Sequence, residues 1–180
     1  MMYANLTSLF RLILCYLIIE EIASRVEFTN VKCISMDKEF AGIGVCRLKS
    51  INRTYKYISL TLNLYKTPIT KAKINFGVYK RLSGYKPFLY NQSVDACRFL
   101  DYQKSNPVAK YLYGFLEHYS NLNHSCPYNH DLILNKLSTE FANHRLTKIL
   151  PVPEGDYMLE THWILNGKFC ALYQIYFSLT

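Results

Sequence analysis

Four side chains near the middle of the chain carry atoms that bind metals: Cys97, His124, Cys126 and His130. The spacing His124-x-Cys126-x3-His130 matches no common zinc arrangement, and no Cys-x2-Cys pair is present. No metal centre is expected. Acyl-transfer chemistry fares no better, because the chain has no Gly-x-Ser-x-Gly elbow. His118, His124, His130, His144 and His162 have no nucleophile beside them in sequence. Asp95, Asp101, Asp131 and Glu160 show no paired-carboxylate spacing, and there is no Gly-rich phosphate loop. The expectation is a protein that is not an enzyme and needs no cofactor.

The thiols have a simpler use. Cys33 and Cys46 lie close enough in sequence to tie two neighbouring strands, and Cys97 and Cys126 bracket a helical stretch. A closed loop of such length contributes roughly 3 kcal/mol on the chain-entropy account. Five cysteines beyond the leader leave other connectivities open, and Cys170 is the odd one.

Disulfides imply an oxidising compartment. Residues 1–24 agree: Arg11 precedes the apolar run Leu12 to Ile19, Glu20 and Glu21 stop it, and the small residues Ala23 and Ser24 follow. That pattern reads as a secretory signal peptide, with 25–180 as one mature domain. Sequons at Asn52, Asn91 and Asn123 are candidate glycosylation sites on the same route. The expected localisation is secreted and extracellular. Removing Arg11, Glu20 and Glu21 with the leader raises the formal charge from +8 to +9, spread thinly along the chain. Lys71, Lys73, Lys80, Arg81 and Lys86 form the densest basic group, read as a solvated strand face. No nucleic-acid partner is expected in that compartment.

The elements follow from periodicity. Between Thr54 and Tyr65, Ile58, Leu60, Leu62 and Leu64 point one way and Tyr57, Ser59, Thr61 and Asn63 the other. Lys71 to Lys80 repeats the pattern, with Ala72, Ile74, Phe76 and Val78 inward. Further strands are predicted at Val26–Ile34, Val45–Ile51 and Lys86–Tyr90. Asn166-Gly167 predicts a two-residue hairpin turn between Tyr157–Leu165 and Lys168–Leu179, since both central residues need positive φ. Phe169, Ala171, Tyr173, Ile175 and Phe177 are assigned to one face of the last strand. Asn106-Pro107 reads as a cap and first turn, and apolar residues from Val108 to Tyr119 recur at helical spacing. A shorter helical turn is predicted at Val94 to Leu100, and Asp131 to Leu137 fits strand and helix equally. The fold class is mainly β, a β-sandwich with one helical insertion.

Sixteen Tyr and ten Phe supply large apolar area, which fills a solid core or walls a cavity. A cavity between splayed sheets would take a lipid or other small apolar ligand. Its candidate walls are Ile58, Leu60, Leu62, Leu64, Ile74, Phe76 and Val78, with Phe169, Tyr173 and Phe177 opposite, and the helix at Val108–Tyr119 as a lid.

An ordered set of motifs runs over the whole mature chain. It comprises Phe28-Thr29-Asn30-Val31-Lys32-Cys33, Cys46-Arg47-Leu48, Gly84-Tyr85-Lys86-Pro87-Phe88-Leu89-Tyr90-Asn91, Asp95-Ala96-Cys97-Arg98-Phe99-Leu100, Asn123-His124-Ser125-Cys126-Pro127-Tyr128 and Pro151-Val152-Pro153-Glu154-Gly155-Asp156-Tyr157. It resembles a large family of small secreted insect proteins of uncharacterised function, expanded in flies. That family looks related to the CheB chemosensory proteins. More distantly it is similar to the ML lipid-recognition group, which includes the ganglioside activator protein. The resemblance implies an immunoglobulin-like, ML-like sandwich with a hydrophobic pocket, a role in chemosensation and a membrane receptor as partner. It also implies that Cys33, Cys46, Cys97 and Cys126 are the shared cysteines, a pattern from which Cys170 departs. The rival expectation is a solid sandwich that acts as a protein-interaction module on a receptor or matrix partner.

Overall fold

The computed structural model describes residues 25–53, 55–149 and 152–180. The leader expected at 1–24 lies outside them. Eight strands are present among the described residues: β1 (Val26–Ser35), β2 (Ala41–Ser50), β3 (Lys56–Leu64), β4 (Ala72–Leu82), β5 (Gly84–Asp95), β6 (Leu132–Ser138), β7 (Gly155–Leu165) and β8 (Lys168–Leu179). They form a five-stranded sheet in the order β1-β8-β7-β4-β5 and a three-stranded sheet in the order β2-β3-β6, with every pairing antiparallel. The two sheets make the sandwich.

Each edge of the sandwich carries a disulfide. Cys33 on β1 is bonded to Cys46 on β2, joining the sheets with Cα atoms 6.1 Å apart. On the far side Cys97, just past β5, is bonded to Cys126 in the loop before β6, with Cα atoms 5.2 Å apart.

The helical insertion runs between β5 and β6 as α1 (Ala96–Asp101), a 3-10 turn (Gln103–Ser105) and α2 (Pro107–Tyr113). Asp95 caps α1 by accepting the Arg98 N–H at 3.0 Å, and Asn106 caps α2 by accepting the Ala109 N–H at 2.9 Å. Helix α2 is shorter than its apolar spacing predicts. Past Gly114 the bonding tightens, with Phe115 N–H donating to Leu112 O at 3.1 Å and Leu116 N–H to Tyr113 O at 2.7 Å. Three-residue closure of this kind ends an α-helix, so Gly114–Tyr119 continues as turns. A further helix, α3 (Thr139–Ile149), follows β6 and was not expected.

The segment that fitted strand and helix equally is β6, and its geometry explains the ambiguity. Ile58 faces Leu137 while Leu60 faces Leu134, so β6 bulges opposite Ser59. Lys136 sits in the bulge at φ 54° and donates its N–H to the Ser59 hydroxyl at 3.0 Å. The extra residues bring Leu132, Leu134 and Leu137 all inward and buried, a spacing with neither period 2 nor 3.6.

The last hairpin turns at Asn166 and Gly167, with φ of 47° and 81°. The Asn166 side chain also fixes the approach to β4. Its Oδ1 accepts the N–H groups of Thr70 at 3.0 Å and Lys71 at 3.1 Å, and its Nδ2 donates to the Pro68 carbonyl at 2.9 Å. Asn166→Ala keeps the strained φ and strips these partners, so stability should fall by about 2 kcal/mol. Asn166→Gly relieves the φ and should cost roughly half as much. Urea unfolding reads both as a shift of midpoint at constant slope.

Candidate functional site

The inward faces of β4, β7 and β8 form a lattice of apolar side chains in register. Ile74 lies beside Trp163, Phe76 beside Thr161, which is in turn beside Tyr173, and Val78 beside Leu159, which is in turn beside Ile175. Strand β5 extends this surface with Leu89 and Val94. Three strands cannot roof five. The smaller sheet covers part of the lattice, chiefly with Leu60, Leu62, Leu132 and Leu134, and the helical insertion covers the rest with Phe99, Val108, Leu112 and Phe115. Between roof and floor a cavity of about 280 Å³ remains.

Of the ten candidate wall residues, Leu60, Leu62, Ile74, Phe76, Val78, Tyr173 and Phe177 line this cavity. The other three are brought elsewhere. Ile58 is fully buried in the cluster of Val26, Phe28, Leu137 and Tyr157, behind residues that line the space. Leu64 packs on the cluster around Phe40 and Ile69. Phe169 is on the opposite face of β8. Trp163 faces Ala171 but Ile164 faces Phe169, so Cys170 is an extra residue that reverses the alternation, and Phe169 stacks on His162 with ring centroids 5.2 Å apart. The Cys170 thiol is buried and unbonded to another cysteine, it donates to the Lys168 carbonyl at 3.2 Å, and burial pushes its pKa up.

Several cavity residues were not singled out from the sequence. Ala142, Leu146, Leu159 and Trp163 all contribute, beside Tyr111 and Leu116 of the segment expected as a lid. Ser138 gave the missing signal for α3: its hydroxyl accepts the Phe141 N–H at 3.2 Å, and Phe141, Ala142 and Leu146 follow at helical spacing.

The polar atoms of the walls are spent on the protein. Tyr113 donates its hydroxyl to the Leu122 carbonyl at 2.8 Å, Tyr128 to His124 O and Tyr157 to Pro153 O. Trp163 donates its indole N–H to Thr161 at 3.1 Å. With these tips bonded to the protein, little is left to fix a polar substrate. Burial, with the nearby Tyr113, pushes the Tyr128 phenol up to about 12, and burial raises Tyr173 further.

The roof is latched. The Arg145 guanidinium of α3 lies over the rings of Tyr111 and Phe115, 5.8 and 5.3 Å from their centroids, and donates to the Tyr111 carbonyl at 3.3 Å. It rests flat on Gly114, where an added Cβ would come within 2.0 Å of Nη2. Only glycine admits this contact.

The three sequon asparagines, Asn52, Asn91 and Asn123, are all exposed.

Arg145→Ala should speed amide exchange across 107–119 several-fold while that of β7 and β8 stays unchanged, as read by hydrogen–deuterium exchange. The tyrosines give a pH signature. Their folded pKa lies above the unfolded value of 10, so the stability they contribute is whole below pH 10 and drains as pH rises toward about 12. Tyr128→Phe should flatten that alkaline loss, measured by thermal unfolding between pH 9 and 11.

No curated protein matches the chain. The crystal structure of a Niemann-Pick type C2 protein from Japanese carpenter ant aligns over 87% of this chain and 95% of that one, at 10% sequence identity and a TM-score of 0.28. Residues 74–159, from β4 through the helical roof into β7, match the family described as "Protein of unknown function (DUF1091)".

Proposed function

We propose that the protein is a non-catalytic carrier of a lipid or other small apolar ligand, held between the two sheets. The cavity of about 280 Å³ carries this reading, because its lining is almost entirely hydrocarbon and aromatic. Its size is close to the lower end of the ~300–1,000 Å³ typical of small-molecule sites. Leaving such a space empty is expensive. Side chains around an unfilled apolar space forgo packing contacts on that side. An alkyl chain would supply the missing contacts. Eight buried methylenes give roughly 6 kcal/mol before the cost of association.

The rival interaction module needs inward side chains that meet throughout, which a space of this size does not fit. Secretion is proposed on the leader at 1–24, the three sequons and the two disulfides, which suit an oxidising compartment. Glycans are proposed at Asn52, Asn91 and Asn123. The chemosensory role and the membrane receptor rest on the sequence resemblance.

The test fills the space from within. Val78→Trp and Ile175→Trp together place two indoles in the cavity. Binding of the fluorescent fatty acid cis-parinaric acid should weaken at least ten-fold, while Phe169→Trp, outside the cavity, leaves it unchanged. Organic extraction of the purified wild-type protein, read by mass spectrometry, should release an apolar compound. A double variant that folds and binds the probe as tightly as wild type would sink the proposal.

A further inference from the structure

Among the described residues the cavity is lined by the tyrosines Tyr111, Tyr113, Tyr128, Tyr157 and Tyr173. The first four give their hydroxyl hydrogens to backbone carbonyls. Tyr111 donates to Arg145 O at 3.5 Å and Tyr113 to Leu122 O at 2.8 Å, while Tyr128 and Tyr157 donate to His124 O and Pro153 O. Tyr173 differs. It is 5% exposed on the inner face of β8, and no group among the described residues bonds to its hydroxyl. Its oxygen is not sealed in the packing, as the unpartnered Asn75 Oδ1 and Arg145 Nε are. It keeps contact with open space, and the side chain lines the cavity. The Trp163 indole meets the ring edge-on at 5.9 Å with its N–H already given to Thr161, and Leu62, Ile69, Leu132 and Leu165 share the cluster.

A hydroxyl in such a place is a cost. Folding takes it from water, where it was bonded, and returns no partner. Phenylalanine would fill the same volume without that loss. Buried polar groups are paired as a rule, so this one needs an account. A water molecule would be poorly held there, since it needs about two to four polar partners of its own. A guest that brings an acceptor into the cavity supplies what the protein does not. Burial alone raises the phenol's pKa, so the group keeps its hydrogen and acts as a donor.

Charge narrows the class of guest. Among the described residues no Lys, Arg, His, Asp or Glu lines the cavity. An ionised head drawn inside would have no countercharge, and one phenol does not offset the loss of its hydration. The acceptor is therefore neutral. Its position also sets a direction. Tyr173, Ile175 and Phe177 follow one another along the inner face of β8 and all line the cavity, a run of about 13 Å. A molecule held at Tyr173 can lay its chain along the other two. Burial of that chain supplies the affinity, and the phenol fixes which end lies where.

Resting on the carrier reading above, we propose that Tyr173 is the polar anchor of the cavity. Its ligand is a neutral lipid bearing one oxygen acceptor, such as a ketone, ester or alcohol. That oxygen accepts the Tyr173 hydrogen while the hydrocarbon chain runs along Ile175 and Phe177.

The experiment uses ligands of one carbon number: methyl octyl ketone, decane, and decanoate, which is ionised at neutral pH. Each competes with the neutral fluorescent probe N-phenylnaphthylamine for wild type and for Tyr173→Phe. Comparing one ligand between two proteins cancels its own hydration. The ketone should lose about ten-fold in affinity in Tyr173→Phe, the worth of one hydrogen bond, and decane should change by less than about two-fold. Decanoate should bind more weakly than the ketone. Ligand-free Tyr173→Phe should melt no lower than wild type, because no protein group loses a partner, whereas Tyr113→Phe should melt lower. In wild type the bound ketone's C=O infrared stretch should lie below its value in hexane, and in Tyr173→Phe it should return to it. An unshifted stretch in wild type overturns the assignment without recourse to any variant. So does a ketone that loses no more than decane, or a decanoate that binds as well as the ketone and loses as much. In those cases decane still binds and the carrier reading stands. Failure of probe, decane and ketone alike to bind wild type overturns that reading and the anchor with it.

Discussion

The structure depends on a mismatch of area. A five-stranded sheet with a continuous apolar inner face is opposed by a three-stranded one. Strands that lack a facing strand must still be kept from water, because their alternation commits every second side chain inward. The helical insertion between β5 and β6 supplies the missing cover. Helices present their side chains on a curved surface and reach the floor less evenly than a second sheet would, and the space left over is the cavity. Chain economy and the cavity are here the same feature.

What the cavity can do is set by where its polar atoms went. Tyr113, Tyr128 and Tyr157 bond to backbone carbonyls outside the lumen, and Trp163 bonds to Thr161. A substrate in this space would meet ring faces and methyl groups and no aligned acid, base or nucleophile. Recognition there is by shape and by loss of hydration. Selectivity for the apolar ligand proposed above would then come from chain length and girth.

Much of this was legible in the residue order. Strands β3 and β4 announce themselves by strict alternation, and the inward residues Leu60, Leu62, Ile74, Phe76 and Val78 read from it do line the cavity. The turn at Asn166-Gly167 and the start of α2 at Asn106-Pro107 are local chemistry and stand where they were expected. The pairing of the four cysteines was favoured from their positions, and only the structure closed the other connectivities. Failures cluster where one residue too many enters a strand. At Cys170 the surplus reverses the parity of Phe169, and near Lys136 it hides β6 from any periodic count. A bulge is chosen by the partner strand, and the sequence of one strand cannot show it. The contact between His124 and His130 is not readable from their spacing, because it is made by a loop folded back on itself around Tyr128.

The placement of the two disulfides has a mechanical meaning. With one at each margin, the layers are clasped like a book bound along both its long sides. Such a volume cannot be opened by parting its covers. The guest proposed above would then pass by way of the helical roof, which is held by the Cys97–Cys126 disulfide, by the Tyr119 carbonyl that accepts the Asn135 N–H, and by the Arg145 guanidinium lying on Gly114. For the proposed ligand, the roof contacts would set how fast it enters and leaves, and the lining how tightly it is held.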